Sequence, residues 1–472
     1  MAEMHGKTKI VIIIPRGEAV RNFVYSDTLD VLSEHAEVTL FSVVTDPKFF
    51  DRFKHKVQRI VPIEYVPEHP IVNYLRHFLH EAHFRWMWTG SARNKWAVRD
   101  AEAKTVPQKI KRLLEKAIIL PLANRPMLEL FTRLENYFTL ALKRTTQFDE
   151  LYEEIQPDLV FNGSHIHGAA SFLPIRVANK KGITTAGFVF SWDNLTNRSR
   201  IFEPYDHFVV WNEKMKRQLL GLYPFLTDQQ IHIAGTPQFD FHFQDQYLLS
   251  KEELAKRLGL DSSRPIILYT TGIDRHFPDE HKHVESVIRT VNSMNGSTKP
   301  QLVVRTYVKG TSEEMKELAR QDISDVVFPD VQWEEQWFTP MYEDLEIYSS
   351  LIRYAEMGIN PASTVSLEFM MFDKPVVNIG YNPPGSNIPP YLNWKRHIDR
   401  DHYRPVADSG ATMIAYSDDD LDAFIKKGLA EPALQSKERR SFIAEMFGDT
   451  LDGNSGKRVA EKLLTLARQK NL

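Results

Sequence analysis

Short β-branched runs alternate with helical segments along most of this chain, and that alternation is its strongest constraint. Lys9 to Pro15 is apolar at nearly every position. A half-exposed strand would alternate polar and apolar residues, so this run belongs in a strand covered on both faces, as in a parallel sheet. Helical spacing follows from Phe23 to Ser33, and a strand pattern from Glu37 to Val44. The alternation resumes with strands at 157–161, Thr184 to Phe190, His207 to Trp211 and Gln230 to Ala234. Helices at His167 to Lys180 and Glu213 to Leu220 lie between them. Strands and helices of these lengths make βαβ units and a doubly wound parallel sheet.

A second series begins after Gln244. Ser250 caps a helix Lys251 to Leu258, with Glu253 at the capping-box position. Strands at Pro265 to Thr271, Gln301 to Thr306, Val326-Val327 and Pro375 to Ile379 alternate with helices at His281 to Met294, Ser312 to Gln321, Glu343 to Ser350 and Thr364 to Phe372. The segment 354–360 reads as a lead into a turn. The chain has 472 residues, enough for two or three domains at ~150 residues each. We therefore expect two α/β domains, 1–245 and 246–450, followed by a C-terminal helix in 451–472 that crosses back to the first.

Composition removes whole classes of chemistry. The chain has no cysteine, which excludes disulfides, thiolate-bound zinc, iron–sulfur clusters and a thiol nucleophile. The apolar run Ile10 to Ile14 is too short for a signal-peptide core, and no stretch reaches the ~18–20 apolar residues of a membrane span. The expectation is a cytoplasmic protein.

The formal net charge of −3 hides an asymmetry. Arg76 to Arg144 carries 14 Lys/Arg against 6 Asp/Glu, a local excess of +8. Phe78, Phe84, Trp86, Trp88, Trp96, Phe131, Tyr137 and Phe138 are threaded through this block, which breaks near Thr89-Gly90, Pro107, Pro121 and Pro126. Such a helical insertion, about 76–145, is either a solvated basic face or a surface for anionic lipid or an anionic acceptor. The latter puts the protein on the inner face of a membrane. Nucleic acid is a weaker candidate and is not expected as a partner, since the whole chain is not basic and carries no recognition motif.

The strongest local chemistry lies at Asn360-Pro361-Ala362-Ser363-Thr364, ahead of a helix carrying Glu368. Hydroxyl residues where a helix begins can hold a phosphate on free backbone N–H groups, or can simply cap the helix. Glu368, a turn further on, can accept from sugar hydroxyls. Thr271-Gly272 ends a strand where doubly wound sheets bind ligands, and Arg305 ends the next one with a fixed bidentate donor. Trp333 and Trp337 suit base stacking or core packing. His165 and His167 can act as a base, whereas a His-x-His pair without further ligands does not make a metal site. Asp418-Asp419-Asp420 caps a helix begun by Ser417, so no metal is expected.

The stretch from Asn360 to Val377 resembles the donor site of GT-B glycosyltransferases. Ser191-Trp192-Asp193-Asn194-Leu195-Thr196, Val210-Trp211-Asn212-Glu213 and Gly235-Thr236-Pro237-Gln238-Phe239-Asp240 resemble bacterial surface-carbohydrate proteins of the same superfamily. The resemblance implies two Rossmann-like domains facing a central cleft. It gives Ser363 and Thr364 to the diphosphate and Glu368 to the ribose, beside Thr271, Gly272 and Arg305. Glu18, just past the first strand, reads either as a solvated loop carboxylate paired with Arg16 or Arg21 or as a base. Gly17-Glu18 resembles the catalytic loop of the GT-B Kdo transferases, which implies the base role, with Arg16, Asp193 and Asn194 on the acceptor side. Thr306-Tyr307-Val308 stands where related proteins carry Pro-His-Pro. The activity implied is metal-independent, cofactor-free transfer from a nucleotide sugar to a glycan or lipid-linked acceptor. A non-hydrolysing nucleotide-sugar epimerase and an inactive GT-B-like scaffold are the competing readings.

Overall fold

The computed structural model describes residues 7–469 apart from 168, 199, 297 and 298. Two compact units divide the chain: residues up to Asp240 together with those from Asn454 onward, and Phe241–Gly453.

In the first unit the β-branched runs form β1 (Thr8–Ile14), β2 (Ala36–Ser42), β3 (Arg59–Pro62), β4 (Leu159–Asn162), β5 (Thr184–Phe188), β6 (His207–Val210) and β7 (Ile231–Ile233). They make one parallel sheet in the order β3-β2-β1-β4-β5-β6-β7. Ile12 lies opposite both Leu40 and Phe161 and is fully buried, as a strand covered on both faces requires. The order reverses between β1 and β4, so their carboxyl ends frame a switch point. The segment expected as one helix from Phe23 to Ser33 is two, Gly17–Phe23 and Asp27–His35. Ser26 causes the break by accepting from Thr28 N at 3.3 Å and capping the second helix. The helix Ser455–Gln469 packs in this unit, its Gly456 N–H donating to Asp240 at 2.7 Å.

The basic block folds into helices Pro70–Met87, Gly90–Glu102, Val106–Leu122 and Arg125–Ala141. Pro107 and Pro126 sit in first turns, where the missing N–H costs nothing. Pro121 does not break its helix, because it falls in the last turn. Trp96 is buried, and Phe78, Trp86, Trp88 and Phe131 pack around it, Leu79, Ala82, Ile119 and Leu128. The cations cover these rings, Arg85 over Trp88 at 4.3 Å and Arg112 over Trp96 at 4.8 Å. Glu135 roots the block by pairing with Arg76 and, at 2.6 Å, with Arg176. Burial pushes the Glu135 carboxyl up, but the two guanidinium groups outweigh it and hold it below its ordinary range.

The second unit contains β8 (Ile266–Thr270), β9 (Gln301–Arg305), β10 (Val326–Val327), a two-residue antiparallel pair β11 (Trp333–Glu334) and β12 (Thr339–Pro340), then β13 (Met357–Asn360), β14 (Val376–Ile379) and β15 (Met413–Ala415). The main sheet is parallel in the order β10-β9-β8-β13-β14-β15, with its switch point between β8 and β13. The segment read as a lead into a turn is therefore a central strand. Gly358 is required there, since a Cβ would lie 2.4 Å from the Phe369 ring. Ser250 accepts from Glu253 N, but the Glu253 side chain pairs with Arg257 at 3.0 Å instead of closing a capping box.

Candidate functional site

In the second unit, Thr271 and Gly272 follow β8, and Ser363 and Thr364 follow β13, so the two turns flank the switch point. Asn360 shapes the second turn. Its Oδ1 accepts from Ser363 N (2.8 Å), Ser366 Oγ (3.0 Å) and Asn378 Nδ2 (3.0 Å). Tyr403 bonds Ser366 at 2.8 Å and Asn378 at 2.9 Å, completing a buried network that fixes the turn. Ala362 takes φ 56°, a left-handed conformation that few non-glycine residues adopt. The helix that follows, Val365–Met371, has seven residues and places Glu368 on its buried side.

The Thr271-Gly272 turn is engaged by its own fold. Thr271 Oγ1 accepts from Tyr307 N at 2.9 Å, which ties the departure after Arg305 to β8. Gly272 N donates to both oxygens of Glu280, at 3.1 and 3.0 Å, and Tyr269 donates to the same carboxylate. Burial pushes Glu280 up to about 8 against these donors. A Cβ at Gly272 would lie 2.1 Å from the Phe277 ring, so packing demands the glycine.

Arg305 and Glu368 fall on one cluster. Arg305 Nη2 donates to Asp344 Oδ2 at 2.5 Å, and Trp333 Nε1 donates to the same oxygen at 2.7 Å. The Arg305 guanidinium lies 5.0 Å from the Tyr348 ring, and its buried Nη1 has no hydrogen-bond partner among the described residues. Tyr348 also meets the edge of His242 at 5.8 Å. His242 and Glu368, both buried, meet through Nε2 and Oε2 at 2.7 Å. Tyr348 thus links a buried cation with unused donor capacity to a buried carboxylate. A phosphate suits the first and a sugar diol the second.

In the first unit, Gly17–Phe23 leaves the end of β1 and buries Glu18, which pairs with Arg16 at 3.1 Å. The β4 exit lies against this helix: a Cβ at Gly163 would be 2.9 Å from Phe23 and 3.2 Å from Ala19. The same exit carries His165, whose Nδ1 lies 3.1 Å from the Phe188 carbonyl and donates to it. Burial pushes His165 down to about 4, against the opposing pull of that carbonyl and of Asp193. It is therefore neutral at pH 7, with Nε2 as an acceptor. His167 Nδ1 lies 2.9 Å from Ser164 Oγ, with its ring edge on Phe190. Gly168, which follows His167, lies outside the described residues. At the β5 exit, Asp193 accepts from Asn194 and Asn197, both at 3.1 Å, and Asn194 accepts from Ser191 N. Among the described residues no group of three or more His, Asp or Glu could hold a metal ion.

Three residues of these clusters escape sequence reading. His242 lies two positions beyond the Gly-Thr-Pro-Gln-Phe-Asp motif, in a Phe-His-Phe run that looks like core. Glu280 and Asp344 sit in helical first turns, where acids are ordinary.

No family model matches the chain, and no curated protein matches it by sequence. Solved structures resemble it over almost its whole length. A UDP-N-acetylglucosamine 2-epimerase aligns with 13% identity and TM-score 0.54, covering 98% of this chain and 96% of that one. The UDP-GlcNAc 2-epimerase from Neisseria meningitidis, bound to UDP-GlcNAc, aligns with 10% identity and TM-score 0.54, covering 97% and 100%. The wall teichoic acid polymerase TagF aligns with 9% identity and TM-score 0.50, covering 98% and 90%. At such identities the likeness defines the fold: two Rossmann-like domains of the GT-B class.

Proposed function

We propose that the protein is a nucleotide-sugar enzyme that transfers the sugar to a glycan or lipid-linked acceptor. The observation that carries this reading is the cluster Arg305–Tyr348–His242–Glu368, which gathers a phosphate donor and a diol acceptor beside the second unit's switch point. Glu368 accepts from the ribose, and Arg305 Nη1 with the Ser363-Thr364 turn receives the diphosphate. The backbone N–H groups of Thr271 and Gly272 already donate to the Arg305 carbonyl and to Glu280, so this turn offers the diphosphate only the Thr271 hydroxyl proton. In the reaction the acceptor oxygen bonds to the sugar's anomeric carbon as the bond to phosphate breaks. The nucleotide leaves with the electron pair, and Glu18 takes the acceptor's proton. Preorganised positive charge at the leaving phosphate then does what a metal would otherwise do. His165, His167, Asp193, Asn194 and Arg16 position the acceptor side.

The second reading is a non-hydrolysing nucleotide-sugar epimerase, favoured by the 2-epimerases that share the fold. The helical insertion favours transfer, because an epimerase needs no acceptor surface. Incubation with UDP-, GDP-, CDP- and CMP-sugars separates the readings. Transfer predicts stabilisation by one nucleotide class and slow donor hydrolysis that an acceptor accelerates. Isomerised donor without any acceptor establishes the epimerase, and no binding to any member refutes both.

A further inference from the structure

The helix Val106–Leu122 turns its apolar face outward. Among its residues only Arg112 and Ile119, seven positions apart, are buried. Val106 (69% exposed), Ile110 (54%), Leu113 (68%) and Leu114 (61%) face solvent with Ile118 and Leu120. At ~100° per residue, these six with Pro107, Ala117 and Pro121 fill an arc of about 160° opposite the buried stripe. Exposed Lys109 borders one edge of that arc and exposed Lys111 the other, while Lys116 turns away to pair with Asp100 at 2.7 Å. The helix's one acid, Glu115, turns away to Arg112 (3.3 Å) and Arg99 (3.7 Å). The next helix adds exposed Met127, Leu130 and Tyr137. Nine of the fifteen exposed large hydrophobics among the described residues thus lie between Val106 and Tyr137. Monomeric proteins rarely concentrate apolar surface in this way without a partner for it.

We infer that this face is an in-plane anchor for an anionic membrane surface. An apolar arc bordered by lysines on both sides is what the boundary between acyl chains and head groups accommodates: the arc sinks in, and the lysine stems reach back to the phosphates. Among the described residues no helix is long and apolar enough to cross a membrane, so attachment is parallel to the surface. A second copy of the chain fits less well, because a two-fold contact would bring the lysines of both copies together. The inference deepens the acceptor side of the proposed function and rests on it for its purpose, but its test needs no donor.

The test is co-flotation of the full chain with phosphatidylcholine vesicles, with and without about 30% phosphatidylglycerol, at about 0.05 and 0.5 M salt. Wild type should float with anionic vesicles at low salt and much less at high salt. Ile110→Ser/Leu113→Ser/Leu114→Ser should lower partitioning by at least ~10-fold. Lys109→Gln/Lys111→Gln should lower it by roughly 30-fold at low salt, at about 1 kcal/mol per lysine. Both variants should keep the wild-type unfolding transition and nucleotide affinity, since they change exposed residues far in sequence from the donor cluster. Because the chain has no cysteine, Leu113→Cys gives a single site for an environment-sensitive dye, whose emission should shift to the blue on anionic vesicles. Three outcomes overturn the inference: no flotation at low salt, flotation of the serine variant equal to wild type, or a wild-type dimer that the serine variant dissolves without any vesicle binding. Loss of nucleotide binding with vesicle binding intact would instead refute the donor reading alone.

Discussion

Replacing Glu368 with alanine tests the donor site most directly, because the structure gives that carboxylate two separable tasks. The first is structural. Its Oε2 meets His242 Nε2 at 2.7 Å, with the two residues 6% and 2% exposed. A hydrogen bond to a charged group contributes about 1.5–3 kcal/mol net, and Glu368→Ala also strands a buried imidazole nitrogen. A loss of ~2 kcal/mol lowers the melting temperature of a unit of this size by ~4–8 °C. Glu368→Gln keeps an oxygen for His242 and should recover most of that loss.

The second task is binding. The contact with His242 is made by Oε2, which leaves Oε1 as the oxygen to accept from a ribose hydroxyl. Losing that charged acceptor should weaken both free nucleotide and nucleotide sugar by roughly 10- to 100-fold, and equally, because ribose is common to both. His242→Ala should cost similar stability but less affinity, since the carboxylate remains and only its positioning suffers. Calorimetric titration well below the melting temperature measures affinity, and scanning calorimetry measures stability. Wild-type affinity for both ligands in a folded Glu368→Ala protein would remove the residue from the donor site.

Other expectations follow from the same geometry. Arg305→Met should abolish nucleotide binding while costing ~2–4 kcal/mol of stability, less than a stranded charge alone, because Asp344 keeps the Trp333 and Gln332 donors. Arg305→Lys should weaken nucleotide binding ~10-fold, since an ammonium lacks the guanidinium fork; undiminished binding in both would dismiss the phosphate role. Glu18→Gln should cut turnover by ~10²–10⁴ with donor affinity unchanged, and a larger loss in His165→Gln would move the base to that loop. His165, held at about 4 against an unfolded value near 6.5, binds fewer protons folded than unfolded. Its stabilising contribution is therefore complete above ~6.5 and is lost as pH falls toward 4, by up to roughly 3 kcal/mol. His165→Gln, which keeps a donor for the Phe188 carbonyl, should flatten the stability profile in that window, and an unchanged acid limb in chemical denaturation would contradict the assignment.

How much of this was legible in the sequence depends on the range of the interactions involved. The parallel sheets were readable because β1 and β8 are continuous apolar runs, a pattern set by burial on both faces. The turn after β13 was readable because hydroxyl residues ahead of a helix are a local signal, although β13 itself was not: with only four residues and a glycine, it owes its place to pairing with β8 and β14. The partners that give the site its chemistry are long-range. His242 reaches Glu368 across 126 residues, and Arg305 reaches Asp344 across 39. Periodicity records that a side chain is buried, never beside what.

The basic insertion shows the same limit from the other side. Its aromatic and cationic residues share one stretch of sequence, which suits an interfacial surface and a cation–π core equally well. Folding decides between these uses by geometry. Trp96 is buried in an apolar cluster, with Arg112 and Lys116 of the same block over its ring at 4.8 and 5.6 Å. The rings therefore take the interior, and their cations are satisfied there. With that interior filled, the aliphatic side chains of Val106–Leu122 find room only on the outer face, where Lys109 and Lys111 remain exposed beside them. The surface expected of the tryptophans is thus supplied by leucine and isoleucine one helix further on. The residues to mutate in testing membrane attachment are accordingly Ile110, Leu113 and Leu114, not Trp86, Trp88 and Trp96.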